Sequence, residues 1–151
     1  MKVTVLLRND HETVKSLFNK FKKPGPRAQN GKKELFDEIR RELLIHSQME
    51  LEIFYPALAA TSSGRAAELV STAEREHRGV EKLLEEMSAM NGADNKAFES
   101  KMDELIEEVD RHIDMEEEEI FDEARKNLPE SRLEELGLEM EDRRKILNLA
   151  A

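Results

Sequence analysis

Glycine and proline interrupt this chain so rarely that it reads as a set of long helices. The 151 residues hold 6 glycines and 4 prolines, and the segments between them carry apolar side chains at three- and four-residue spacing. The first segment spans about Val3 to Lys22 and stops at Pro24-Gly25-Pro26. The second runs from about Gly31 to Leu58, with Pro56 near its end, and is closed by Thr61-Ser62-Ser63-Gly64. The third covers about Arg65 to Met90 and ends at Asn91-Gly92. The fourth covers about Asp94 to Asn127, with Asp94 suited to the N-cap. Pro129 breaks it, and a shorter fifth helix follows from about Glu130 to Leu147. β-Branched clusters are short and no hairpin dipeptide lies between alternating runs. The expected fold is all-α: an up-down-up-down four-helix bundle over residues 1–128, with an additional short C-terminal helix, 129–151, packed on it in the same domain.

The chain has four histidines, His11, His46, His77 and His112, one on each long segment. Residues three and four apart share a helix face. The apolar stripes read Thr4, Leu7, His11, Val14, Phe18, Phe21, then Leu35, Ile39, Leu43, His46, Glu50, Phe54. On the third and fourth segments they read Ala66, Val70, Ala73, His77, Val80, Leu84, Met87, and Met102, Leu105, Val109, His112, Glu116, Ile120. Every histidine falls in the stripe that should face the core. A single histidine there is more often a satisfied core residue than a ligand. If a stripe covers a third of each helix, four independent placements coincide about one time in a hundred, which favours convergence on one site.

Two stripes also carry a glutamate four residues after the histidine, in His46-Ser47-Gln48-Met49-Glu50 and His112-Ile113-Asp114-Met115-Glu116. Four residues make one turn and a little more, so both side chains point the same way. A buried glutamate is costly unless paired or bound to metal. Four imidazoles and two carboxylates without sulfur suit iron, manganese or zinc, as one ion or as two sharing carboxylates. The order differs from the Glu-x-x-His pairs of ferritin-like bundles. The run Glu116 to Glu119 is not one feature. Glu116 shares the His112 face, whereas Glu117 lies about 140° around the helix.

Composition narrows the partners. A net charge of −10, with charged residues at 38%, argues against a nucleic-acid phosphate backbone. No apolar run reaches a membrane span, and MKVTVLLRND lacks a signal-peptide layout. The absence of cysteine excludes disulfides, thiolate metal sites and a cysteine nucleophile. A cytoplasmic location is expected.

The stretches RNDHETVKSLF at His11, HSQMELEIFYPAL at His46 to Leu58, EREHRGVEKLL at His77 and RHIDMEEEEIF at His112 resemble the hemerythrin-like (HHE cation-binding) family. The resemblance covers about Leu7 to Asn127, with the four motifs in family order. It implies a four-helix bundle around an oxo- or hydroxo-bridged non-haem di-iron centre. The implied ligands are His11, His46, Glu50, His77, His112 and Glu116, with Glu50 and Glu116 as bridging carboxylates. Oxygen-carrying members have a further histidine one turn before the third, where this chain has Ala73, and an aspartate where it has Glu117, which only this resemblance keeps as a reserve ligand. The missing imidazole leaves an expected open position at one iron. The tail LPESRLEELGLEMEDRRKIL is similar to that of a smaller subgroup to which peroxide decomposition is attributed.

The expected function is reaction of the di-iron centre with a small oxygen species, hydrogen peroxide above all, admitted at the gap left by Ala73. The alternative is non-catalytic binding or sensing of oxygen, nitric oxide or iron. A metal-free structural bundle ranks behind both, and acid–base hydrolysis lower still, because no nucleophile or phosphate loop accompanies the glutamates. Tyr55 is expected as a core residue rather than a donor at the site. Met49, Met87, Met102 and Met115 are expected as core filling. Leu133, Leu136, Met140 and Ile146 suit either capping of the bundle or a dimer interface.

Overall fold

The computed structural model describes residues 1–23, 28–90 and 96–150. The Pro24-Gly25-Pro26 stop, the Asn91-Gly92 end and the Asp94 cap lie outside the described residues. Among those described, all regular structure is helical, and no helix is long and apolar enough to cross a membrane. Helix α1 is Val3–Lys22. Helix α2 begins as Ala28–Met49, passes through a π-helical stretch at Glu50–Phe54 and resumes as Tyr55–Ala59. Helix α3 is Gly64–Ser88. Helix α4 repeats the pattern of α2: Lys96–Met115, a π-helical stretch at Glu116–Ile120, then Phe121–Asn127. Helix α5 is Glu130–Ala150.

The two π stretches are what the regular 3.6-residue reading missed. In each, a backbone N–H reaches back five residues: Tyr55 donates to the Glu50 carbonyl and Phe121 to the Glu116 carbonyl. On an α-helix the fifth residue lies about 140° away. A π turn returns it towards the same face. In α2 the cause is near at hand, because Pro56 has no N–H to give the α ladder. In α4 no proline accompanies the change.

Helix α3 starts on a side-chain cap, Ser63 Oγ accepting from the Ala66 N–H at 3.0 Å. The same hydroxyl donates to Glu123 Oε2 at 3.2 Å, fastening α3 to the end of α4. Helix α1 packs on α2, α3 on α4, and α5 against α1 and α2.

The core comes in two parts with a polar layer between them. One part holds Val3, Leu7, Met49, Phe54, Tyr55, Leu58, Ala73, Ile120, Phe121, Leu133, Leu136 and Met140. The other holds Val14, Phe18, Phe21, Phe36, Ile39, Leu43, Leu84, Met87, Phe98, Met102 and Leu105. In α1 and α3 the first part precedes the histidine and the second follows it; in α2 and α4 the order is reversed, Ile113 next to His112 being the exception. Of the apolar residues suited to capping or to a dimer interface, Leu133, Leu136 and Met140 are buried. Ile146 is 56% exposed, and Leu147 packs inward in its place. Gly137 lets the chain start pass close by, since a Cβ there would fall 1.8 Å from the Met1 carbonyl oxygen.

Candidate metal centre

The layer between the two apolar parts is made of the four histidines and two glutamates. Glu50 and Glu116 are wholly buried, and His11, His46, His77 and His112 are 2–8% exposed. The Nε2 atoms turn inward onto the carboxylates. His11 Nε2 lies 3.0 Å from Glu116 Oε1 and His46 Nε2 2.9 Å from Glu50 Oε1. His77 Nε2 lies 3.2 Å from Glu50 Oε1 and His112 Nε2 3.4 Å from Glu116 Oε2. All six residues singled out from the sequence thus meet in one place. They divide into two groups able to hold an ion, His11, His46, Glu50, Glu116 and Glu50, His77, His112, Glu116. Both glutamates belong to both groups.

The outer nitrogens form a second set of contacts that the sequence reading did not anticipate. His46 Nδ1 donates to Asp10 Oδ2 at 3.0 Å, His112 Nδ1 to Glu76 Oε1 at 2.7 Å and His11 Nδ1 to Glu117 Oε2 at 2.7 Å. His77 Nδ1 is hydrogen-bonded to Ser47 Oγ at 2.6 Å. The pattern is a closed ring. A residue of α1 holds the histidine of α2, α2 holds that of α3, α3 that of α4, and α4 that of α1. Such outer contacts fix ring orientation and raise donor strength. Asp10, Ser47 and Glu76 each adjoin a histidine in sequence, but each serves the one on the neighbouring helix. Glu117, the reserve ligand, is the brace for His11.

Helix α5 extends the ring. Arg144 Nη2 donates to Asp10 Oδ2, the atom that receives His46. Burial alone would raise the Asp10 carboxyl; contact with His46 and Arg144 holds it below its ordinary value.

Tyr55 is both a core residue and part of the site. Its hydroxyl donates to Glu116 Oε2 at 2.5 Å and lies 3.0 Å from His77 Nε2 and 3.4 Å from His112 Nε2. Burial, then the charges of Glu116 and Glu50, push its phenol well above the usual range, so it stays a proton donor. The second π stretch puts Phe121 in the comparable place, stacked on His11 with ring centroids 6.0 Å apart.

The electrostatics show how much negative charge the layer carries. Burial works against the His112 imidazolium, yet hydrogen bonds to Glu116 and Glu76 raise it to about 10. His46 is likewise raised well above its usual value, burial being outweighed by the Glu50 charge and Asp10. Glu116 stays well below the carboxylate range, because contacts with Glu50, His11 and His112 overcome burial.

Five buried polar atoms have no hydrogen-bond partner here: His11 Nε2, His46 Nε2, Glu116 Oε1 and both oxygens of Glu50. Orphaned polar atoms at this depth are expensive. Imidazole nitrogens and carboxylate oxygens converging on one space are what a transition-metal cation satisfies.

A cavity of about 40 Å³, larger than one water-sized sphere, adjoins the layer. Besides the histidines it is lined by Leu43, Val80, Leu84, Val109 and Ile113, with Ser47, Glu76 and Glu81 at its polar end. Ala73 is fully buried in the opposite apolar part and does not line it. The cavity therefore lies on the other side of the layer from Ala73.

Fold and site together define an all-helical protein with a buried histidine–carboxylate cation centre. The hemerythrin HHE cation-binding domain model matches residues 3–124, and the chain belongs to that family. A crystal structure of a hemerythrin HHE cation binding domain-containing protein from Mycobacterium kansasii is similar over 99% of this chain and 89% of that one, at 25% identity and a TM-score of 0.82. A DNA nickase from Nostoc sp. (strain PCC 7120 / SAG 25.82 / UTEX 2576) is 26% identical over 92% of this chain, which spans 38% of that protein's length.

Proposed function

We propose that this chain is a non-haem di-iron protein that binds and reacts with a small oxygen species, hydrogen peroxide above all. The observation that carries the reading is the pair of buried His/Glu groups sharing Glu50 and Glu116, with five inward atoms lacking a protein partner. His11 and His46 would hold one ion, His77 and His112 the other, and the two glutamates would bridge them. Iron bound there supplies redox capacity and Lewis acidity. The chain itself fixes the imidazoles through their outer nitrogens, keeps a phenolic proton at Tyr55 and admits molecules of peroxide size through a largely apolar cavity.

In this reading the four histidine-bearing helices run up-down-up-down, supported by the reversal of the two apolar parts about the histidine from each helix to the next. Residues 129–151 belong to the same domain, supported by buried Leu133, Leu136 and Met140 and by the reach of Arg144 to Asp10. A cytoplasmic setting without nucleic-acid or membrane partners completes the proposal, in keeping with the net charge of −10 and the absence of cysteine. The apolar lining of the cavity favours one alternative, non-catalytic binding or sensing of neutral oxygen or nitric oxide.

Protein produced with iron should carry close to two irons per chain and show an oxo-bridged charge-transfer band. Fewer than one iron per chain without that band would remove the di-iron reading. Peroxide should then evolve oxygen, and His112→Ala should abolish it. Equal rates in both proteins would refute catalysis, and a stable reversible oxygen adduct would establish the carrier instead.

A further inference from the structure

The order histidine, His-x-x-x-Glu, π stretch, aromatic residue occurs twice, once on α1 and α2 and once on α3 and α4. The outer contacts share the likeness: Asp10 and Glu76 each precede by 36 residues the histidine they hold. The halves differ at two places. Tyr55 in one is Phe121 in the other, and His77 is held by the hydroxyl of Ser47 where His11 is held by the carboxylate of Glu117.

Both differences fall against the His77/His112 group. Carboxylates only accept, so Asp10, Glu117 and Glu76 each require a proton on the Nδ1 they hold. A neutral ring in that state presents an Nε2 lone pair to a cation. A serine hydroxyl can donate or accept, so Ser47 leaves His77 free to take either form. Tyr55 decides between them. Its one proton goes to Glu116 at 2.5 Å, so towards His77 Nε2, 3.0 Å away, the phenol oxygen is an acceptor. His77 therefore carries its proton on Nε2 and accepts from Ser47 at Nδ1.

The result is an imbalance between the groups. The inward nitrogens of His77 and His112 and Glu116 Oε2 have a partner in Tyr55. Those of His11 and His46 have none, and Phe121, a bare ring beside His11, offers none. A cation leaving the first group would strand both of its imidazole nitrogens; one leaving the second would leave its imidazole nitrogens facing a hydroxyl, with Glu50, common to both groups, unpartnered in either case. We infer that the two ion positions are unequal by construction: His11/His46 holds its ion first and longest, and His77/His112 is the exchangeable position, with Tyr55 as its built-in substitute for a cation.

This rests on the dinuclear reading above, and one titration tests the two separately. Metal-depleted full-length protein is titrated with Co²⁺, following its visible bands and the heat of binding. Wild type should take up two equivalents in two separated steps. Tyr55→Phe removes the substitute, so the second step should tighten about tenfold or more and the second Co²⁺ should dissociate more slowly, with the first step unchanged. Phe121→Tyr should weaken the first step and bring the two together. Two indistinguishable steps in wild type, or a second step unchanged or weaker in Tyr55→Phe, would overturn the inequality while leaving the metal centre standing. One equivalent or none would remove the dinuclear reading and this inference with it. Should Tyr55→Phe fail to fold, Ser47→Asp, which commits His77 to the metal-ready form, should tighten the second step; no tightening there would equally overturn the inference.

Discussion

Raising the pH should load this centre, and His112 sets the size of the effect. Its imidazole is held up at about 10 by Glu116 and Glu76 against the cost of burial, where an ordinary histidine titrates near 6.5. At about pH 7, roughly one His112 in a thousand is neutral. A cation needs the neutral ring, so binding must expel the proton, and apparent affinity stands about a thousandfold below its proton-free limit. It should recover about tenfold per pH unit from this group alone. His46, also raised well above its usual value, adds a second proton, so the logarithmic slope lies between about one and two across pH 6 to 8. Stability of the metal-free protein runs the other way. A folded-state pKa above the unfolded one stabilises fully below about 6.5 and loses that contribution as pH rises through about 10. The gap in Tm between metal-loaded and metal-free protein should therefore widen with pH. Competition titrations of Co²⁺ against a chelator at three pH values give the slope, and an indicator dye in weak buffer counts the protons released. Affinity independent of pH, or uptake without proton release, would refute the reasoning.

Three further outcomes follow from single contacts. Asp10→Asn takes the negative charge from the acceptor that orients His46 and receives Arg144, and should lower Co²⁺ affinity by about 10- to 100-fold, read by the same titration. Ser63→Ala deletes the α3 cap and the bond to Glu123, and should cost about 1 kcal/mol in urea unfolding. Gly137→Ala gains about 1 kcal/mol of helix propensity but drives a methyl to 1.8 Å from the Met1 carbonyl oxygen. Overpacking of about 1–3 kcal/mol should win, giving a lower Tm.

The histidine face was legible because the 3.6-residue period relates residues of one helix. That period separated Glu116 from Glu117, and the structure places Glu116 inside both groups and Glu117 on the outer nitrogen of His11. Tyr55 is the core residue expected, but its contact with the site was not legible from the same arithmetic. Five residues past Glu50 it belongs on another face of an α-helix, and only the π stretch brings it round. Pro56 was the available sign. On the last helix Leu133, Leu136, Met140 and Leu147 form one stripe against the bundle, and Ile146 lies beside it, exposed. Asp10, Ser47 and Glu76 could not be read at all, because each acts across a helix interface, and no spacing within one segment encodes which neighbour it meets.

That ring of crossed contacts also bears on why the layer calls for cations. Five carboxylates surround four imidazoles: Glu50 and Glu116 wholly buried, Asp10 nearly so, and the Glu76 and Glu117 side chains 30% and 23% exposed. Arg144 meets Asp10, and Arg8 comes within 3.7 Å of Glu117. With protons alone, His46 and His112 can add two positive charges, and the atoms of Glu50 still go without hydrogen bonds. Two divalent ions would bring four positive charges against five negative ones, with the arginines to balance the remainder, and would meet the five orphaned histidine and glutamate atoms at once. A purely structural bundle would gain by replacing such a layer with well-packed apolar side chains. The charge, the burial and the outward braces are what the cation-binding family to which the chain belongs would require of such a layer.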